Sequence, residues 1–219
     1  MPKRKPADHL RSVVKVLISA IPCVGGPIAT LISEYVSSAT ERDTKRALEI
    51  FSAKIQEIRE RIEVDKIDQD EFSELFKSSY LVMVRTHRDE KLRAAANILA
   101  NLCLMPNDQY KSSYEELDHL IRCIDALSIG AIEVLGASIR LSRTVPTGPQ
   151  LKTFRFEQLG SVFPQRDADL VMSLVSELRG FHLIRVQEMP MRSPGYQGTL
   201  LEPTATGRRL AERFIEGKM

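Results

Sequence analysis

The chain has 219 residues, 43% hydrophobic and 27% charged, with a net charge of +2. This composition excludes a disordered or fibrous polymer and fits one large or two small globular domains. The near balance of charge offers no bulk attraction for nucleic acid or bilayer, so binding to either needs a local patch. Cys23, Cys103 and Cys123 share no Cys-x-x-Cys spacing and each falls in an apolar pattern. They read as buried reduced thiols, which suits a cytoplasmic protein.

Residues 1–7 are basic, with Lys3-Arg4-Lys5 between prolines, and are expected to be a disordered tail. Asp8 can cap a first helix that Pro22 ends. Pro27 then suits the first position of a second helix, where its missing N–H costs nothing. Leu17, Ile18, Ile21, Ile28 and Leu31 make this stretch a hydrophobic hairpin. Its run from Val16 to Ser33 carries no charge but is broken by Pro22, Gly25-Gly26 and Pro27, so it is a poor span and a good buried corner. No clean cleavage site follows, and a signal peptide is not expected.

From Ile28 to Met105 there is neither glycine nor proline, which predicts a continuous helical body. Leu48, Phe51, Ile55, Ile58 and Ile62 alternate in steps of three and four, an a/d seam on one long helix. Lys45, Arg46, Glu49, Lys54 and Glu57 belong to its solvated face. Asp68 and Glu71 form a capping box for a helix buried through Phe72, Leu75, Phe76 and Tyr80. A further helix holds Leu92, Ala95, Ala96, Leu99 and Cys103, and its small residues permit close approach of a neighbour.

Pro106-Asn107-Asp108 is the expected domain boundary, dividing a helical bundle at 8–106 from a second domain at 113–219. Ser113 and Glu116 cap a helix through Leu117, Leu120, Ile121, Ile124 and Leu127, and Ser128 opens another with Ile132, Leu135 and Ile139. After a loop at 145–150 come a short helix at 156–163 and a helix capped by Asp167. That second helix bears Leu170, Val171, Leu174, Val175 and Leu178 and ends at Gly180. A strand at 183–186, a turn at 189–198, a return strand at 199–201 and a last helix at 207–216 complete the chain.

The segment from Glu177 to Ile215, ELRGFHLIRV followed by LLEPTATGRRLAERFI, resembles the end of bacterial winged-helix domains, a resemblance covering about the last third of the chain. The fold class it implies is mainly α: an N-terminal bundle followed by a winged-helix-like domain with a small β-hairpin. The segments SAIPCVGGPIATLI, KRALEIFSAKIQEI and RTHRDEKLRAAANILANL resemble a group of uncharacterised bacterial helical-bundle proteins that share an Ile-Pro-x-x-Gly-Gly turn. That resemblance implies a bacterial or phage-related source and the helical fold, and it points to no particular activity.

The densest polar cluster is Arg85, His87, Glu90, Lys91, Asn97 and Asn101. It reads either as a polar site between helices or, more economically, as a helix junction. No nucleophile or paired carboxylate stands beside His87, so no catalytic residue is assigned. His9, His87, His119 and His182 are scattered, so no metal is assigned, and no cofactor motif appears. Candidate nucleic-acid contacts are Arg192, Arg208, Arg209 and Arg213. The helix from Asp167 to Leu178 carries Asp167, Asp169 and Glu177 with no lysine or arginine, which disfavours DNA.

The sequence therefore points to a non-catalytic cytoplasmic adaptor or regulator that binds a protein partner and itself, in a setting such as bacterial stress or phage defence. A second reading makes it a membrane-perturbing defence effector acting through the N-terminal hairpin. A third makes it a winged-helix transcriptional regulator.

Overall fold

The computed structural model describes residues 41–63, 66–86, 88–144, 153–187, 196 and 198–217, with side chains from Lys45 onward. The basic tail, the hydrophobic hairpin, His87, the 145–150 loop and most of the 189–198 turn lie outside the described residues. The protein is mainly helical, with a small three-stranded antiparallel sheet toward its C-terminus. It divides into two compact units between Asp125 and Ala126.

The first unit is built on α1 (Glu41–Glu57), α2 (Gln69–Arg85), α3 (Asp89–Leu102) and α4 (Tyr114–Ala126). α1 packs on α2 and α3, and α2 on α3. The expected seam buries Leu48, Phe51, Ile55 and Ile58. Ile62 is the exception. The α-helix stops at Glu57, a single 3₁₀ turn covers Arg59–Arg61, and Ile62 leaves it extended to form a lone antiparallel bridge with Leu104. Met105 N–H donates to Arg61 C=O at 2.9 Å, so pairing with the 104–105 segment replaces the last helical turn.

Lys54 was expected on the solvated face but is only 7% exposed, with its ammonium on Glu57 Oε1 at 2.8 Å. The flexible stem lets it lie down while its charge stays paired. Asp68 caps α2 as its sequence requires, accepting from the N–H groups of Asp70 and Glu71 at 3.0 Å each. On α2, Phe72, Phe76 and Tyr80 stack at 6.1 and 5.8 Å between centroids, and Phe51 meets Phe76 edge-on at 6.5 Å. On α3, every residue from Ala94 to Leu102 is buried. Its alanines present little bulk, so neighbouring backbones can close in on several sides.

The turn at Pro106–Asp108 does not end this unit. Arg61 grips Asp108 through two hydrogen bonds of 2.8 Å and lies 5.2 Å from the Tyr110 ring centre. Asn101 donates to Tyr110 C=O at 2.8 Å and accepts from Ser112 N–H at 2.9 Å. Tyr114 O–H donates to Glu74 of α2 at 2.8 Å, and Lys91 of α3 donates to Asp125 C=O at 3.0 Å. The segment 106–125 is thereby tied back to α2 and α3, and the division falls later than the 106–113 boundary expected from punctuation.

The second unit runs α5 (Ile129–Thr144), β1 (Phe154–Arg155), α6 (Phe156–Val162), α7 (Ala168–Gly180), β2 (Ile184–Gln187), β3 (Leu200–Pro203) and α8 (Ala205–Arg209), which continues as a π-helical segment over Leu210–Ile215. The sheet order is β1-β3-β2, all antiparallel, with Leu201 opposite both Phe154 and Val186. The hairpin follows the sequence, shifted by a residue or two. β1 was not expected, because two residues carry no alternation to read. α5 packs on α6, α7 and β3, burying Val134, Leu135, Ile139, Leu159, Val175, Leu178, Leu201, Leu210 and Phe214.

Two expectations on α7 need correction. Leu170, grouped with the helix's apolar residues in the sequence, is 50% exposed, leaving Val171, Val175 and Leu178 to hold the helix down. Gly180 was expected to terminate the helix, yet it is the last helical residue. The left-handed position falls on His182, at φ 55°. Leu183 N–H reaches Leu178 C=O at 3.0 Å and His182 N–H reaches Arg179 C=O at 2.9 Å, the paired bonds of a Schellman motif.

Candidate functional site

The polar cluster read from sequence does not converge. Arg85 is exposed at the end of α2, Glu90 is exposed in the first turn of α3, and His87 lies outside the described residues. Glu90 and Asn101 sit at opposite ends of α3, roughly 16 Å apart at the helical rise. Lys91 is spent on Asp125 C=O, and the fully buried Asn101 pins Tyr110 and Ser112. Asn97 is buried as well. The structure assembles the cluster's inner members as a helix–loop junction.

Of the basic set, Arg192 lies outside the described residues, and Arg208, Arg209 and Arg213 are half-buried on the α8–π segment. Arg208 donates to the buried Ser142 Oγ of α5 at 3.0 Å. Arg143, at the end of α5, pairs with Glu212 at 2.7 Å and Glu216 at 3.9 Å. This segment is fastened to α5 by arginines on both sides, and Arg208 points inward to do it. The hairpin residues Leu17, Ile18, Ile21, Ile28 and Leu31 lie outside the described residues.

The described thiols are held protonated at neutral pH. Burial pushes Cys103 up to about 12 and Cys123 up to about 11. Cys123 Sγ lies 3.6 Å from His119 Nε2, one turn away on α4. Sequence reasoning passed over this pair, though the His-x-x-x-Cys spacing was readable. Among the described residues no three His, Cys, Asp or Glu side chains gather as a metal site, and no helix is long and apolar enough to cross a membrane.

The face that stands out is on α6 and α7. Asp167 caps α7 by accepting from Asp169 N–H at 2.7 Å. Asp169 Oδ1 accepts from Tyr196 O–H at 2.8 Å, and the Tyr196 ring meets Phe156 edge-on at 5.2 Å. That bond, together with slight burial and the nearby carboxylates, raises the Tyr196 phenol above its ordinary range. Glu157 accepts from Gly198 N–H at 2.8 Å, and backbone amides hold its carboxyl below the usual range. At the other end Glu177 accepts from the N–H and, at 2.8 Å, the O–H of Ser128, which seats a carboxylate on the first turn of α5. Arg166, in the turn between α6 and α7, pairs with Glu133 and lies 4.7 Å from the Phe163 ring centre.

Between these fixed ends α7 presents Asp169, Leu170, Ser173 and Ser176 to solvent. Among the described residues, the large apolar side chains left exposed are Leu170 at 50% and Val162 at 42%, and both belong to this helix–turn–helix. Leu170 escapes a reading from sequence, because its spacing with Val171, Leu174 and Leu178 is that of a core residue. Comparison with protein-family models, curated proteins and solved structures finds no match for this chain.

Proposed function

We propose that this protein is a non-catalytic adaptor or regulator that acts by binding another macromolecule, with its second unit serving as a winged-helix-like docking module. The order helix, strand, helix, helix, strand, strand, helix, with the first strand joining the hairpin at β3, supports the winged-helix reading. The observation that carries the choice of partner is the exposed face of α7. A helix that reads DNA needs side chains for base edges and cations for phosphates. Here the corresponding helix offers Asp169, Leu170, Ser173 and Ser176, and its first cation after Arg166 is Arg179 at the far end. Carboxylates at the N-terminal end repel a phosphate backbone, whereas an exposed leucine among serines suits a protein surface.

Anisotropy titration of random and genomic duplexes with the full chain tests this. The expected result is weak binding that vanishes with modest salt. Tight, sequence-selective binding at physiological salt that is lost in Arg192→Ala or Arg213→Ala would make it a transcriptional regulator instead. Dye release from anionic liposomes by the same preparation, abolished in a folded Leu17→Glu variant, would favour the membrane effector.

A further inference from the structure

The partner's chemistry follows from the same face, and this inference rests on the docking reading above. Placed on a helical wheel around Ser173, the residues Asp169, Leu170, Ser176 and Glu177 all fall within about 60° of it, so they form one continuous strip. Leu170 is half-exposed, Ser173 and Ser176 are short, and the strip's charges are both acidic. Asp167 flanks it on one side, and Glu157, anchored to Gly198, adds a further carboxylate on the neighbouring helix. The nearby cation in the turn, Arg166, is paired with Glu133.

We propose that this strip receives a basic segment of a partner protein, one that lays an apolar side chain against Leu170 and its lysines or arginines against Asp169 and Asp167. The two serines leave a shallow trough that lets a second helix approach closely. The acidic end coincides with the N-terminus of α7, so the carboxylates offset the positive end of the helix dipole that would otherwise oppose a cation there. Asp169 is held in place by Tyr196 and Asp167 by its capping bond, so neither must be ordered at the moment of binding.

The test uses the full-length protein and three probes: a fluorescein-labelled amphipathic peptide with a lysine face and a leucine stripe, the same peptide with every lysine replaced by glutamate, and a random 20-base-pair duplex. The basic peptide should bind, and both Leu170→Ser and Ser173→Lys should weaken it about tenfold. Leu170 is already half in water and Ser173 makes no cap, so both variants should keep the wild-type melting temperature. Arg179→Ala, at the far end, serves as the control and should bind normally. Binding of the acidic peptide alone, binding of neither peptide, or basic-peptide binding that the two strip variants leave unchanged would overturn this assignment of partner chemistry while leaving the docking reading standing. Duplex binding that Ser173→Lys strengthens and Arg192→Ala abolishes would overturn both.

Discussion

At the scale of single residues, the tightest constraint in the second unit is at Gly207. Its backbone presses on the strand entry so closely that a Cβ there would lie 2.1 Å from Leu183 C=O. That carbonyl cannot step aside freely, because it accepts from Thr204 N–H at 3.0 Å while Thr204 Oγ1 donates to His182 C=O at 2.8 Å and accepts from Gly207 N–H at 3.0 Å. Gly207→Ala should therefore cost about 1–3 kcal/mol by overpacking against backbone, read as a lower denaturation midpoint at unchanged slope. An unchanged midpoint would show that α8 can slide away from β2 without loss. His182 makes the opposite case. A left-handed conformation costs a side-chain-bearing residue about 1–2 kcal/mol, and glycine forfeits part of that gain through chain entropy. His182→Gly should raise stability by about 0.5–1 kcal/mol, and a fall would mean the imidazole itself is holding the turn. The Thr-x-x-Gly spacing was legible as a helix start. The left-handed site was not, because Gly180 two residues earlier offered a more obvious stop.

At the scale of elements, what holds a segment in place is often a polar contact between residues far apart in sequence. Arg61 and Asp108 are separated by 47 positions, and no periodicity announces their pairing. The Asp108 side chain is 11% exposed, and its two bonds from Arg61 hold its carboxyl below the ordinary carboxylate range. A carboxyl depressed in the folded state contributes stability that is complete above its unfolded pKa and is lost as pH falls through the folded value. Arg61→Met should therefore destabilise the protein by about 1–3 kcal/mol at pH 7, since it strands a nearly buried carboxylate. The gap between variant and wild type should begin to narrow as pH falls below about 4, the unfolded carboxylate value, and should close only below the depressed folded value at which wild-type Asp108 takes up its proton. A gap that is constant from pH 7 to pH 3 would assign the loss to packing alone. Apolar seams and side-chain caps, by contrast, were readable because each is local: Leu48, Phe51, Ile55 and Ile58 lie one turn apart, and Asp68 and Asp167 each cap the helix that follows them.

At the scale of the whole molecule, turn residues proved a poor guide to where one unit ends. Pro106, Asn107 and Asp108 do make a turn, but a domain ends where contacts thin out, and Asn101, Arg61, Glu74 and Lys91 carry contacts past it to Asp125. A side-chain amide reaching two backbone groups leaves no mark in hydropathy or charge pattern. Each unit has its own buried core, so each should show its own ladder of protection from hydrogen exchange. In the first unit the slowest amides should lie in α3 from Ala94 to Leu102, where no residue is exposed and every hydrogen bond is shielded by packing. The 106–112 turn should exchange more slowly than its proline-asparagine-aspartate sequence suggests, since Ser112 N–H and Tyr110 N–H are bonded to Asn101 and Asp108. In the second unit the slow set should be α5 from Ala131 to Ile139 and the central strand β3, whose neighbours lie on both sides. The exposed half of α7 from Ala168 to Ser173 should exchange among the faster helical amides, because among the described residues Val171 is the one buried side chain at that end. Mass-spectrometric exchange on the intact chain reads all five segments in one experiment. Protection of α7 at Leu170 equal to that of α5, in the protein without added partner, would mean that the strip is already covered and would redirect the search for its occupant to the chain itself.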